Sequence, residues 1–286
     1  GEKPLQTTQL TKQQLAFFDA FGYLSFPGLL ADCVDTIISE FEAVWDAHGD
    51  GHCGRKHDGK RRSCIVPFSD QSEYLSALLD DPRIHDIAAD ICGEDFNYTS
   101  GDGNFYSGDT TWHSDSWGAN KILSIKIAFY LDPLTRDTGA LRVIPGSHRA
   151  GEAYADFLEE RNIRENCGKI WGIENREVPA TILDTNPGDI VVFNQSLKHA
   201  SFGGSERRRM FTMNFSRRYP EDRLQELRDG LAGYARFWID RIHGEAMIRT
   251  AGRERMVHLE QVMANDTHLA DVSRELKKTM DEPARG

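Results

Sequence analysis

The sequence lacks several features that would have fixed its class at once. No Cys-x-x-Cys pair occurs among its five cysteines, Cys33, Cys53, Cys64, Cys92 and Cys167, which are odd in number and scattered. That argues against a disulfide framework and fits a reducing cytoplasm. No run of about eighteen apolar residues exists, so no membrane span is expected. The opening Gly1-Glu2-Lys3-Pro4 has no apolar stretch of the kind a signal peptide carries. Positive charge is in short supply. The net charge of −11 argues against nucleic acid as a partner, because such binding relies on a basic surface. Repeats and low-complexity segments are absent as well. What remains is a chain of 286 residues, 39% hydrophobic and 10% aromatic, with enough apolar material for a sizeable core.

Periodicity organises that material into three parts. Leu10 to Phe21 reads as a helix, with Thr11 as N-cap and Gln14 as its capping-box partner. Leu15, Phe18 and Phe21 recur at helical spacing, Gly22 stops the helix, and Tyr23 to Pro27 reads as a short strand. A second helix is expected from about Asp32 to Ala47, with Val34, Ile37, Ile38, Phe41 and Val44 on one face. Residues 48–64 read as a basic loop holding Arg55, Lys56, Lys60, Arg61 and Arg62. Strand patterns dominate from about 95 to 150 and again from 178 to 218. In the clearest, Leu123, Ile125, Ile127, Phe129 and Leu131 share one face, while Ser124, Lys126, Ala128 and Tyr130 share the other. Residues 150–175 read as an irregular or partly helical insertion, and about 220–285 as a charged helical cap. Helices, then strands, then helices favour a mainly β fold with flanking helices. Its core would be a double-stranded β-helix, the cupin-like jelly roll. One domain over 1–286 is expected, with N-terminal helices at about 10–50 and the jelly-roll core at about 95–218.

Chemistry concentrates at His113-Ser114-Asp115 and His199. Residues i and i+2 of an extended strand point the same way, so His113 and Asp115 can reach one metal from a strand end. His199, just after the strand Asp189–Asn194, can join them from a neighbouring strand. Two imidazoles and one carboxylate hold one face of a non-haem Fe(II) and leave the other open to oxygen and a co-substrate. Read alone, a His between Trp112 and Trp117 could be a hydrogen-bonded core residue.

The surrounding segments decide between these readings. Tyr130-Leu131-Asp132-Pro133 and the run from Thr138-Gly139 to Pro145-Gly146-Ser147-His148-Arg149 resemble the signature of the phytanoyl-CoA dioxygenase family of Fe(II)/2-oxoglutarate oxygenases. Trp112-His113-Ser114-Asp115 and the Leu10–Pro27 stretch resemble that family too. The resemblance covers roughly residues 10–30 and 95–217. It implies Fe(II), 2-oxoglutarate and O2 as cofactors and co-substrates, and a small-molecule substrate. It implies His113, Asp115 and His199 as iron ligands, and Ser201 as a hydrogen-bond partner of 2-oxoglutarate. It also implies an arginine on the following strand for the far carboxylate of 2-oxoglutarate. Arg207, Arg208 and Arg209 compete for that place. Arg208 shares a polar face with Thr212, Asn214 and Ser216, whereas Arg209 shares one with Phe211, Met213 and Phe215, so parity favours Arg208. A guanidinium suits the work, because its planar fork stays charged and bonds a carboxylate twice.

The resemblance implies hydroxylation of an unactivated C–H bond, since halogenating relatives lack a carboxylate where Asp115 stands. A desaturating or cyclising member stays open, as does a metal-dependent cupin enzyme that does not use 2-oxoglutarate. A catalytically dead scaffold fits poorly with an intact triad. The basic loop 55–62 could reach the mouth of the site and meet an anionic substrate. Asn104, Tyr106, Trp117, Lys126 and Tyr130 are further expected wall residues. His148 reads as structural, and His52, Cys53, His57 and Cys64 match no zinc spacing. The Trp238–His258 stretch is expected to form a lid or a homodimer face.

Overall fold

Thr11 opens the first helix, α1 (Lys12–Phe21), with the capping box its sequence carries. The Gln14 N–H donates to Thr11 Oγ1 at 3.1 Å, and the Thr11 N–H donates to Gln14 Oε1 at 2.9 Å. Gly22 ends the helix at φ 85°, and a Cβ there would stand 2.6 Å from the His148 ring. That close approach, with the Asp19 carbonyl 3.1 Å from His148 Nε2, gives His148 the structural role expected of it. The computed structural model describes residues 9–161 and 163–286, so Gly1-Glu2-Lys3-Pro4 lies outside the described residues.

The strands are β1 (Tyr23–Phe26), β2 (Ser63–Ile65), β3 (Asn97–Tyr98), β4 (Gly103–Tyr106), β5 (Thr110–His113) and β6 (Ser124–Tyr130). They continue with β7 (Leu141–Val143), β8 (Thr181–Leu183), β9 (Ile190–Asn194), β10 (His199–Ser201) and β11 (Arg208–Ser216). All pairings are antiparallel. The larger sheet runs β1–β9–β6–β11–β4–β2 with β3 also on β11, and the smaller runs β5–β10–β7–β8. Two facing antiparallel sheets of this kind are the jelly-roll core that the pattern favoured.

Alternation on β6 and β11 decides which face does what. Ile125, Ile127 and Phe129 of β6, with Phe211, Met213 and Phe215 of β11, turn outward into the main hydrophobic core. There they meet helix α2 (Val34–Ala47) through Phe41 and Trp45, both fully buried. The other parity, Lys126 and Tyr130 on β6 and Arg208, Met210, Thr212 and Asn214 on β11, turns inward to a cavity. Cross-strand register sets Lys126 beside Asn214 and Tyr130 beside Met210.

Helices α3 (Glu73–Ala77) and α4 (Pro82–Cys92) fill a stretch for which no element was expected. The signal was present in α4, where Asp81 caps the Arg83 N–H at 2.9 Å and Pro82 takes the first turn. The 150–175 insertion takes the partly helical of its two expected forms. Its helices α5 (Ala153–Glu160) and α6 (Ile163–Trp171) bury Leu158, Ile163 and Cys167 with Trp112 and Phe202.

The cap holds α7 (Leu224–Ala232), α8 (Glu245–Arg249), α9 (Arg253–Asn265) and α10 (Leu269–Leu276). Within 238–258, Ile242, His243, Met247, Arg255 and His258 pack inward, and the stretch does not line the cavity. His258 stacks on Phe96 at 3.7 Å, and buried His243 stacks on Tyr98. The covering role falls to the preceding stretch, where Leu227, Leu231, Tyr234 and Phe237 line the cavity. Among the described residues, no helix is long and apolar enough to cross a membrane.

Candidate metal centre

The smaller sheet brings the two histidines together by register. His113 at the end of β5 pairs directly with His199 at the start of β10. Asp115 follows two residues later, its backbone N–H donating to the Gln195 carbonyl at 2.8 Å. Asp115 Oδ1 then lies 3.9 Å from Nε2 of each ring. One ligand atom from each of the three falls within 4.8 Å of the others, the only such metal-capable group found among the described residues.

Backbone carbonyls fix the state of both rings. Nδ1 of His113 lies 2.8 Å from the Thr111 carbonyl oxygen, and Nδ1 of His199 lies 2.8 Å from that of Leu197. A carbonyl only accepts, so Nδ1 carries the proton and each Nε2 turns a lone pair to the cluster. Burial disfavours the imidazolium, lowering His113 and pushing His199 down to about 3. Burial works against ionisation of Asp115, yet the Lys126 ammonium and the two imidazoles together outweigh it and hold the carboxyl well below the usual carboxylate range. Two neutral imidazoles and a carboxylate are the donor set that suits Fe(II).

The three groups border a cavity of about 840 Å³ between the sheets. Arg208 lines it and is 3% exposed. Its Nη2 donates to Ser201 Oγ at 3.0 Å, while its buried Nη1 has no hydrogen-bond partner. Gly139 and Gly204 leave room for this guanidinium, since a Cβ would stand 1.8 Å from Nη1 at the first and 2.5 Å at the second. Arg209 points the other way and is already engaged, with Asp132 at 2.7 Å and Glu42 at 2.9 Å. Arg207 pairs with Glu42 at 2.6 Å.

The phytanoyl-CoA dioxygenase (PhyH) family pattern matches residues 18–211, well over half of the chain. The chain belongs to that family. Ectoine dioxygenase of Sphingopyxis alaskensis is 28% identical over 166 residues, 49% of this chain and 52% of that enzyme. The match thus spans about half the length of that relative. Among solved structures, the non-haem alpha-ketoglutarate-dependent carbocyclase SnoK of nogalamycin biosynthesis aligns with a TM-score of 0.59 at 18% identity, over 74% of this chain and 87% of that one. HygX from Streptomyces hygroscopicus, solved with nickel, 2-oxoglutarate and hygromycin B, aligns with a TM-score of 0.56 at 18% identity, over 73% and 87%. At these identities the likeness is one of fold.

In this PhyH member the expected wall residues separate. Tyr106, Lys126 and Tyr130 line the cavity. Asn104 stands behind them, bonded to Arg62 Nε at 2.7 Å and to Asp102 Oδ2 at 2.7 Å. Trp117 instead lies under the Lys198 ammonium, 4.4 Å from its ring centre. Of the basic loop, Arg62 reaches the cavity, pairing with Asp102 and lying 4.3 Å over the Tyr106 ring. Arg55 and Arg61 do not lean over the mouth; Glu282 holds both, at 3.5 and 3.2 Å. His52 and His57 are tied to the Pro283 and Glu206 carbonyls and form no metal cluster with Cys53 and Cys64. Sequence reasoning missed Asp102, which also accepts from Thr212 and for which no local pattern gave a signal. It also missed the Lys126–Asp115 pair, 2.7 Å long, although parity had put Lys126 on the correct face.

Proposed function

We propose that this chain is a single-domain Fe(II)- and 2-oxoglutarate-dependent dioxygenase that hydroxylates an unactivated C–H bond of a small molecule. His113, Asp115 and His199 would hold the iron. Arg208 and Ser201 would hold the far carboxylate of 2-oxoglutarate. The observation that carries the reading is the orphaned Arg208 Nη1, buried on the wall of the cavity that the triad borders. A buried guanidinium with no carboxylate partner is costly, and a dicarboxylate co-substrate supplies what it lacks. A cupin enzyme that does not use 2-oxoglutarate leaves that group without a purpose.

When bound, iron with 2-oxoglutarate supplies the oxidising power, with succinate and CO2 as by-products. The protein's part is positional. Thr111 and Leu197 hold the two rings neutral, Arg208 and Ser201 would orient the co-substrate, and Leu231, Tyr234 and Phe237, which line the cavity from the cap, would cover the bound substrate. Asp115 fills the third ligand place, which supports hydroxylation over halogenation.

The substrate would lie between the triad and the cap. The C-terminal helices, where Val257 of α9 is 38% exposed, offer a face on which two copies could pair, and light scattering tests that. For the activity, Fe(II) and 2-oxoglutarate are added without oxygen to the full chain. A weak visible charge-transfer band is expected, reduced strongly in His199→Ala. No band, together with no succinate release across a broad panel of small acids, phosphonates and acyl carriers, overturns the reading.

A further inference from the structure

Asp115 divides its two carboxylate oxygens between different tasks. Oδ1 lies 3.9 Å from both imidazole Nε2 atoms, and Oδ2 lies 2.7 Å from Lys126 Nζ. The partners come from opposite walls of the jelly roll. Asp115 follows β5 of the smaller sheet, and Lys126 stands in the middle of β6 of the larger one. The Asp115 and Ser116 backbone N–H groups both donate to the Gln195 carbonyl, at 2.8 and 3.1 Å, so the chain bearing the carboxylate is anchored. What that leaves free is the rotation of the carboxylate itself. Among the described residues, Lys126 is the one cation within ion-pair distance of it, the two imidazoles there being neutral.

Lys126 is poorly suited to a purely structural pairing. Its parity turns it into the cavity beside Asn214, and its side chain is 17% exposed there. Holding a long ammonium side chain at that depth is costly unless its target is worth fixing. A carboxylate can bind a metal through one oxygen or through both. An oxygen that already accepts from an ammonium at 2.7 Å has one lone pair and part of its charge taken up, so it is the poorer candidate for a second ligand atom.

We propose that Lys126 is a positioning residue that keeps Asp115 a one-oxygen ligand, so that the place its Oδ2 would take at the metal stays open. The proposal rests on the reading of His113, Asp115 and His199 as the metal ligands. It implies a trade-off. An ammonium this close to a divalent cation repels it, so Lys126 weakens metal binding while preserving room for co-substrate and oxygen.

That trade-off gives a test with an unusual sign. Co(II) replaces Fe(II) in the full chain, and its affinity and visible ligand-field spectrum are measured for wild type, Lys126→Met, Lys126→Arg and His199→Ala. Lys126→Met is expected to bind Co(II) more tightly by roughly tenfold, with a changed spectrum and weaker 2-oxoglutarate binding to the Co(II) form. Lys126→Arg, which keeps a cationic donor, is expected to restore the wild-type spectrum. A merely structural lysine would give the opposite sign, weaker Co(II) binding on its removal. The proposal is overturned if Lys126→Met binds Co(II) no more tightly than wild type, or leaves the spectrum unchanged. His199→Ala separates the two levels. If it loses Co(II) while Lys126→Met changes nothing, the role of Lys126 fails alone; if it keeps wild-type affinity, the ligand reading fails with it.

Discussion

His113 and His199 stand directly opposite each other on β5 and β10, their ring centres 4.2 Å apart, each with Nδ1 tied to the carbonyl two residues before it. The backbone thereby presents two neutral Nε2 atoms before any metal arrives. Burial lowers both rings, His199 to about 3, so protons should not compete for them near neutrality. Ni(II) affinity of the metal-free chain is expected to fall by less than about tenfold from about pH 7.5 to about pH 5.5, where two imidazoles of ordinary pKa, about 6.5, would cost roughly a hundredfold. Calorimetric titration at several pH values checks this; a loss approaching a hundredfold would contradict it. Stability has a related sign. Because the folded values lie below the unfolded ones, these rings contribute fully above the unfolded value. That contribution is lost as pH falls toward the folded values and the unfolded chain takes up protons.

Arg208 and Arg209 are neighbours in sequence with opposite surroundings. Arg208→Ala is expected to weaken 2-oxoglutarate binding by roughly ten- to a hundredfold, the range for hydrogen bonds to a charged group. Arg209→Ala removes a partner of Asp132 and Glu42 in a partly exposed cluster. It should lower stability by about 1 kcal/mol and leave 2-oxoglutarate binding unchanged. Titration of the charge-transfer band and thermal melts read the two effects separately, and equal losses of affinity in both variants would reject the assignment of Arg208.

Much of this site was legible because parity and register are local. The i, i+2 spacing set His113 and Asp115 together, and alternation along 208–216 put Arg208 inward and Phe211 outward, as the cavity and the core divide them. The capping box at Thr11 was legible for the same reason. Pairings across the barrel were not. Nothing within a few residues of Lys126 says that its ammonium meets Asp115, or that Asp102, reached from Arg62, Asn104 and Thr212, anchors the cavity wall. The positive loop was read as reaching for a ligand because Glu282, more than two hundred residues away, is invisible as its partner until the chain is folded.

Asp102 should matter more for folding than its place outside the triad suggests. It is hydrogen-bonded to Asn104 and Thr212 and paired with Arg62, with side chains only 14% and 23% exposed in the ion pair. Removing one partner leaves the other charge without compensation. Asp102→Ala is expected to cost about 2–4 kcal/mol in chemical denaturation, and Thr212→Val, which removes one hydrogen bond, about 1 kcal/mol. Equal, small losses would show that solvent screens the pair.

Two glycines separate backbone strain from the shape of the proposed co-substrate berth. Gly139 and Gly151 both sit at φ 96°, where a side chain strains the backbone. They differ in what a Cβ would meet: Arg208 Nη1 at 1.8 Å for Gly139, and nothing within 4 Å for Gly151. Alanine at either position should strain the backbone by a similar amount, about 1–2 kcal/mol, and at 139 the displaced guanidinium adds to that loss. Only at 139 must the guanidinium also move. Gly139→Ala is expected to lose 2-oxoglutarate affinity about as severely as Arg208→Ala while still binding Ni(II), whereas Gly151→Ala keeps wild-type affinity for both. If the two alanine variants bind 2-oxoglutarate equally well, the space that Gly139 leaves beside Arg208 does not shape the co-substrate site.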